Sequence, residues 1–208
     1  MTALSLNDGD ALILVDVQND FLPGGALAVP LGDEVIPVLN RYLALFRRHD
    51  LPIYASRDWH PMGHCSFAAQ GGPWPQHCLA GTSGAAFPAA LALGDAACIV
   101  SKAERKEEDA YSAFQNTGLA QSLRAQGANR LFIGGLATDY CVLNTVLDAL
   151  KEHFNVLLLT DAIRAVDVRP GDGDAAIATM LAQHAVPVTL NELEGTGQVD
   201  TGLPFRPA

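Results

Sequence analysis

The sequence has few cysteines and no long apolar segment. Four cysteines are spread over 208 residues, and no two of them form a CxxC pair. This number is too small for a disulfide framework in a chain of this size, so we expect free thiols in a reducing compartment. A bridge between Cys65 and Cys78 is left open. No apolar run approaches the length of a membrane span, and residues 1–10 lack the basic and apolar pattern of a signal peptide.

Basic residues are also scarce. The chain has 13 Lys and Arg against 23 Asp and Glu, which gives a formal net charge of −10. Such an excess of negative charge disfavours binding to nucleic acids and to anionic membranes. We therefore expect a cytoplasmic protein with neither a nucleic acid nor a membrane as its partner. The sequence leaves open whether the chain forms a homo-oligomer.

Apolar runs and helical patterns alternate along the chain. The runs predict six strands, at residues 11–15, 52–56, 97–100, 131–135, 155–159 and 186–190. The helical patterns cover residues 33–49, 118–126, 141–150 and 172–183. This alternation predicts an α/β fold with three layers, in which a central six-stranded, mostly parallel sheet has helices on both faces. We expect a single domain over residues 1–208.

Two segments fall outside this regular pattern. The first, at about residues 57–95, is too rich in tryptophan and histidine to be simple disorder. A connection of this length within a compact domain is usually functional. The second is the tail, residues 191–208, which we expect to fold over the surface or to fray.

Reactive side chains follow four of the predicted strands. Asp16 follows the first strand, Asp58 and His60 follow the second, Lys102 follows the third, and Cys141 follows the fourth. The carboxyl ends of parallel strands meet at one edge of a sheet, where ligands bind in such folds. We therefore expect these residues to share one catalytic site.

Cys141 follows two glycines and a short polar turn, at the predicted start of a helix. The unpaired N–H groups and the dipole of a helix start favour a thiolate, and they can hold an oxyanion. Asp16 could accept the thiol proton and pass it to a leaving amine. Lys102, placed between the two, would keep Asp16 ionised and favour the thiolate. The alternatives are a small buried cysteine and an ordinary surface lysine.

The second predicted constellation is a metal site. Residues two apart in an extended segment point the same way, so Asp58 and His60 can share a ligand. Together with His77, they offer a carboxylate and two imidazoles, which suit Zn²⁺, Fe²⁺ or Mn²⁺. His64 is a further candidate ligand, although a position around the ligands suits it better. The alternative is a set of loop histidines hydrogen-bonded to the backbone.

Several linked motifs resemble one enzyme family. They are DVQNDF (16–21), SRDWHPMGHCSF (56–67), WPQHC (74–78), Lys102, AYSAF (110–114) and GLATDYCV (135–142). In this order they resemble the nicotinamidase/pyrazinamidase branch of the isochorismatase-like cysteine hydrolases. The resemblance implies a Rossmann-like sheet topology. It also implies hydrolysis of nicotinamide, and of pyrazinamide, to the acid and ammonia through a cysteine thioester, in NAD salvage.

The resemblance also implies a role for each matched residue. The catalytic triad would be Asp16, Lys102 and Cys141. One divalent metal ion, with Zn²⁺ the first choice, would be held by Asp58, His60 and His77, and by His64 only in some relatives. The substrate ring would lie between Phe21 and Trp74, with Tyr111 at another pocket position. A cis peptide bond would join Leu136 to Ala137, so that the N–H groups of Ala137 and Cys141 form the oxyanion hole.

Three other functions compete with this interpretation. An amidohydrolase of the same superfamily that acts on a carbamoyl or ureido substrate would keep the triad, but such relatives generally lack the DxH…H set. A catalytically silent binding module would show no amide turnover. A peroxide-sensing thiol protein would have a reactive Cys141 without ammonia release, and the metal ligands would be unexplained.

Overall fold

The computed structural model describes residues 4–194 and contains a six-stranded sheet. The strands are β1 (Asp10–Val15), β2 (Ile53–Asp58), β3 (Cys98–Lys102), β4 (Arg130–Leu136), β5 (Asn155–Arg164) and β6 (Val186–Val188). Every neighbouring pair is parallel, in the order β3-β2-β1-β4-β5-β6. This topology confirms the predicted α/β fold.

Helices cover both faces of the sheet. They are α1 (Val35–Arg48), α2 (Leu119–Ala125), α3 (Leu143–Lys151), α4 (Asp172–Ala182) and α5 (Leu190–Glu194). The core on one face contains apolar residues of α1 and α5, and the core on the other contains residues of α2, α3 and α4. In β1, Leu12 and Leu14 belong to the first core, whereas Ile13 and Val15 belong to the second. This explains the continuous apolar run, since both faces of a central parallel strand are buried.

The sheet has its topological switch point between β1 and β4. The chain moves from β1 to one side through β2 and β3, and then crosses to the other side with β4. A crevice forms at such a point, beyond the carboxyl ends of the strands. Gly135 in β4 has φ +128°, and a Cβ atom there would lie 2.1 Å from the carbonyl oxygen of Val15. The glycine therefore allows β4 to approach β1 closely beside the crevice.

The C-terminal part of the described chain differs from the sequence prediction. β6 ends at Val188, and α5 begins at Leu190. The sequence pattern predicted instead a strand through residue 190, followed by an irregular tail. The carboxylate of Glu192 accepts hydrogen bonds from the N–H (2.7 Å) and the hydroxyl (2.8 Å) of Thr189. This T-x-x-E capping arrangement starts a helix, and the strand prediction through residue 190 was therefore wrong. The rest of the predicted tail, residues 195–208, lies outside the described residues.

The connection between β2 and β3 is long and irregular, as predicted. It contains one short 3-10 turn, Ala68–Gln70, and two isolated bridges, His60 to Leu79 and Phe67 to Trp74. The N–H of His60 donates to the carbonyl of Cys78 (3.0 Å), so the end of β2 is joined to the middle of this connection. Within residues 4–194, no helix is both long enough and apolar enough to cross a membrane.

Candidate active site

Asp16, Lys102 and Cys141 come together at the switch point. Asp16 directly follows β1 and has a left-handed backbone (φ 48°), and Lys102 ends β3. Cys141 lies in a π-helical turn, Thr138–Val142, which leads into α3. The Nζ atom of Lys102 is 2.9 Å from Oδ2 of Asp16 and 3.6 Å from Sγ of Cys141. Lys102 thus lies between the other two side chains, as expected.

Lys102 also contacts a residue outside this triad. Its Nζ atom donates to the carboxylate of Asp58 and to the carbonyl of Ala110 (3.0 Å). Burial alone lowers the pKa of Lys102, but the charges of Asp16 and Asp58 outweigh it and raise the pKa well above its usual value. The ammonium is therefore shared between the triad and a predicted metal ligand. Sequence reasoning missed this link, which follows from the direct register of Asp58 with Lys102 in the sheet.

The two carboxylate oxygens of Asp16 have different surroundings. Oδ1 accepts a hydrogen bond from the hydroxyl of Ser56 (2.7 Å). Oδ2 is buried next to the ammonium of Lys102, but within residues 4–194 it receives no hydrogen bond of good geometry. Burial raises the pKa of Asp16, and the charge of Lys102 opposes that rise. Oδ2 is therefore available to accept a proton, and the Asp16 carboxylate lies within 4.8 Å of the Cys141 sulfur.

The thiol of Cys141 is harder to ionise than expected. Burial raises its pKa well above the usual value, Lys102 lowers it, and the carboxylates of Asp16 and Asp58 raise it further. Lys102 favours the thiolate as expected, but the net effect of the surroundings is to disfavour it. The reason is that desolvation and two carboxylates outweigh one ammonium. A protonated nucleophile needs a proton acceptor when it attacks, and Asp16 is placed for that role.

The three predicted metal ligands also converge. One potential ligand atom each of Asp58, His60 and His77 lies within 4.8 Å of the others, and all three residues are buried. Nδ1 of His60 is 3.1 Å from the carbonyl oxygen of His77, and Nδ1 of His77 is 2.7 Å from that of Pro75. A carbonyl only accepts, so each Nδ1 carries a proton, and each Nε2 is the nitrogen left for a metal ion.

The donor groups of this cluster suit a divalent cation. Burial and the neighbouring His77 lower the pKa of His60 to about 3, so its imidazole is neutral at ordinary pH. Nε2 of His77 lies 3.9 Å from Oδ2 of Asp58. A carboxylate and two imidazoles whose ligand atoms converge are a donor set that Zn²⁺, Fe²⁺ and Mn²⁺ accept. The residues therefore fit the metal ion that the sequence predicts.

His64 has a different environment. Its Nδ1 is 2.8 Å from the hydroxyl of Ser66, and its Nε2 is 3.0 Å from the carbonyl oxygen of Glu108. Its side chain could also form a ligand cluster with His60 and Asp109. However, Nε2 must donate to a carbonyl and Nδ1 is engaged by Ser66, so neither nitrogen is free for the ion. The structure favours a position around the ligands for His64.

A small cavity of about 40 Å³ lies between the thiol and two of the predicted metal ligands, Asp58 and His77. It is lined by the predicted residues Phe21, Asp58, Trp74, His77, Tyr111, Ala137 and Cys141, and by Leu27, Val29, Tyr140 and Val166. The indole N–H of Trp74 donates to the hydroxyl of Tyr111 (2.9 Å). The cavity wall opposite the polar groups is therefore aromatic and aliphatic, which suits a small planar ligand.

Sequence reasoning missed four of these lining residues. The ring of Tyr140 packs edge-on against Trp74 at 5.0 Å between centroids, and at 5.9 Å from Tyr111. Its place next to Cys141 in the chain was a usable signal. Leu27, Val29 and Val166 are apolar residues without a motif, and only the fold brings them to the cavity.

Two predictions concern covalent geometry. The peptide bond between Leu136 and Ala137 is cis, which confirms the prediction from the family resemblance. The N–H groups of Tyr140 and Val142 both donate to the carbonyl of Ala137, at 3.1 Å each. Cys65 and Cys78 are free thiols, and no bridge joins them.

Comparison with known proteins agrees with this geometry. The isochorismatase domain model matches residues 10–192. A nicotinamidase of Escherichia coli (strain K12) is 40% identical over 207 residues, which cover 89% of this chain and 97% of that protein. A pyrazinamidase of Pyrococcus horikoshii in complex with zinc has a TM-score of 0.84 and 46% identity, and the match covers 88% of this chain and 99% of that one.

A third relative has been solved with a pyridine carboxylate bound. It is PnC1 of L. infantum in complex with nicotinate, with a TM-score of 0.85 and 37% identity over 92% of this chain and 98% of that one. The chain therefore belongs to the isochorismatase family, in the nicotinamidase/pyrazinamidase branch of its cysteine hydrolases.

Proposed function

We propose that this protein is a cytoplasmic nicotinamidase. It hydrolyses nicotinamide, and also pyrazinamide, to the carboxylic acid and ammonia, as a step of NAD salvage. One observation carries this proposal. The thiol of Cys141, next to Lys102 and Asp16, lines the same aromatic cavity as the predicted metal ligands Asp58 and His77. The catalytic domain comprises the whole chain, 1–208.

The first half of the reaction releases ammonia. Sγ of Cys141 attacks the amide carbon while its proton passes to Oδ2 of Asp16. The N–H groups of Ala137 and Cys141 hold the oxyanion that forms. The C–N bond then breaks, and Asp16 returns the proton to the departing ammonia. The ammonium of Lys102, 3.6 Å from the sulfur, stabilises the negative charge that develops there.

The second half regenerates the thiol. A water molecule attacks the thioester carbon, and Asp16 takes one of its protons. The C–S bond breaks, the proton passes to the sulfur, and the carboxylic acid is released. Ser56 holds Oδ1 of Asp16 throughout, so that the same oxygen, Oδ2, serves both steps.

One divalent metal ion is part of this proposal. Asp58, His60 and His77 would hold it, with Zn²⁺ as the first choice and Fe²⁺ or Mn²⁺ as alternatives. When bound, such an ion would act as a Lewis acid that can coordinate the ring nitrogen of the substrate. The zinc complex of the P. horikoshii relative supports the choice of Zn²⁺. Phe21, Trp74 and Tyr111 would then enclose the ring.

Ammonia release from nicotinamide tests the proposal. Purified zinc-loaded protein should release ammonia, whereas Cys141→Ala and the chelated wild type should not. Turnover by wild type that survives verified metal removal would refute the role of the ion. No turnover by the zinc-loaded wild type would refute the proposed substrate, and carbamoyl and ureido compounds would then be assayed in the same way.

A further inference from the structure

The side chain of Gln18 is buried away from the cavity, and it brackets the backbone of Asp58. The N–H of Asp58 donates to Oε1 of Gln18 (2.7 Å), and Nε2 of Gln18 donates to the carbonyl of Asp58 (2.8 Å). The second Nε2 proton goes to the carbonyl of Ala85 (2.9 Å). One side-chain amide thus pairs both backbone groups of a single residue, as a neighbouring strand would.

The course of β1 explains this arrangement. The last bond between β1 and β2 runs from the N–H of Asp16 to the carbonyl of Ser56 (3.2 Å). β1 then leaves the sheet at Asp16, which has a left-handed backbone, while β2 continues to Asp58. The amide of Gln18 takes the place that the next peptide of β1 would have occupied. It therefore fixes the position of Asp58 where the sheet provides no neighbour on that side.

Asp20, two residues further on, holds the opposite half of the ligand cluster. Its Oδ2 accepts the N–H of Cys78 (2.7 Å), the residue after His77. The carbonyl of Cys78 accepts the N–H of His60 (3.0 Å). A Cβ atom on Gly84 would lie 2.2 Å from Oδ2 of Asp20, so the chain passes close over this carboxylate. Asp20 is half-buried, and the peptide that it anchors lies between two metal ligands.

We propose that Gln18 and Asp20 are positioning residues that set the spacing between the ligands at and just after the end of β2, Asp58 and His60, and the loop ligand, His77. Both ligand segments are hydrogen-bonded to the same short segment, residues 18–20, which begins two residues after the catalytic Asp16. Hydrogen bonds around metal ligands commonly change metal affinity when they are removed. The spacing of the three ligands, and hence the affinity for the ion, depends on these two side chains.

The test measures Zn²⁺ affinity of metal-free protein by competition with a chromophoric chelator. Gln18→Met keeps the length of the side chain but removes its hydrogen bonds, and Asp20→Ala removes the acceptor for Cys78. We expect each to weaken Zn²⁺ binding by about 10- to 100-fold. Asp20→Asn keeps an oxygen that can accept the Cys78 N–H, and its affinity should stay within about threefold of wild type.

A matched control comes from α1. Nδ2 of Asn40 donates to the carbonyl of Ala90 (2.9 Å), and Oδ1 accepts the N–H of Ala92 (2.8 Å). This pair of hydrogen bonds from one side-chain amide to the backbone resembles that of Gln18, but it holds a segment that does not line the cavity. Asn40→Leu should leave the Zn²⁺ affinity unchanged, even where it lowers the Tm of the metal-free protein.

Several outcomes would overturn the proposal. One is a wild-type Zn²⁺ affinity in both Gln18→Met and Asp20→Ala. Another is a loss of Zn²⁺ affinity in Asn40→Leu as large as that in Gln18→Met. The third is a loss of Zn²⁺ affinity in Asp20→Asn as large as that in Asp20→Ala. If Gln18→Met does not fold, the comparison of Asp20→Ala with Asp20→Asn still tests the proposal. The inference rests on the metal site of the proposed function. Its readout is metal binding, so a failure to hydrolyse nicotinamide would not affect it.

Discussion

Removal of the ammonium of Lys102 should destabilise the protein strongly. Its Nζ atom has three partners, Asp16, Asp58 and the carbonyl of Ala110, and its side chain is fully buried. Lys102→Met leaves two buried carboxylates close together without a counter-charge. Breaking a buried ion pair by removing one partner lowers the free energy of unfolding by about 3–5 kcal/mol. With three partners lost, we expect a value near the upper end of that range in metal-free protein.

The loss of unfolding free energy in Lys102→Met should depend on pH. Without Lys102, the pKa of Asp16, already raised by burial, rises further above its value in the unfolded chain. A raised carboxyl pKa contributes stability at low pH that is lost as the pH rises through the folded-state value. The difference between Lys102→Met and wild type should therefore be larger at about pH 7.5 than at about pH 5.

Urea denaturation at these two pH values measures both effects. The double variant Lys102→Met with Asp16→Asn has one carboxylate fewer, and it should regain about 2 kcal/mol relative to Lys102→Met alone. A loss below about 1 kcal/mol in Lys102→Met would refute the reasoning, because the pair would then behave like an exposed one. An equal loss at both pH values would refute it too, since no carboxylate would then have lost its counter-charge.

Three further predictions concern the groups around the thiol and the cavity. Ser56→Ala removes the 2.7 Å hydrogen bond to the buried carboxylate of Asp16, so kcat/KM for ammonia release should fall by about 10- to 100-fold and the free energy of unfolding by about 1–3 kcal/mol. Tyr111→Phe removes the acceptor of the Trp74 indole N–H, and KM should rise by about 3- to 10-fold, with an unchanged KM contradicting a role of that pair in the pocket wall. In metal-free protein, the free energy of unfolding should fall as the pH drops from the ordinary histidine pKa, about 6.5, toward the His60 pKa of about 3. The reason is that, in this pH range, His60 binds a proton only in the unfolded chain. His60→Gln should flatten this dependence, measured by denaturation across that pH range, and an unchanged slope would contradict the assignment.

Local sequence patterns were enough to predict most of the fold. The apolar run of β1 predicts a buried strand because both of its faces contact helices. The convergence of Asp16, Lys102 and Cys141 could also be anticipated, because parallel strands place their carboxyl ends at one edge. The helix α5 could have been predicted as well, from the spacing of Thr189 and Glu192, but the β-branched residues before it favoured a longer strand.

Other features depend on contacts that are distant in sequence. The ion pair of Lys102 with Asp58 requires the register of β2 against β3. The raised pKa of Cys141 depends on its burial and on both carboxylates, and neither can be read from the residues next to it in the chain. The hydrogen bond of His64 to the carbonyl of Glu108 likewise forms only when two distant segments meet.

In the proposed mechanism, Cys141 forms a thioester with the acyl group of nicotinamide. The direct measurement is mass spectrometry of zinc-loaded protein after rapid acid quenching during turnover, with the modified peptide mapped. We expect one nicotinoyl group on Cys141 in the wild type, and neither adduct nor ammonia release in Cys141→Ala. Ammonia release that persists in Cys141→Ala, or a nicotinoyl group found on another residue, would contradict the account.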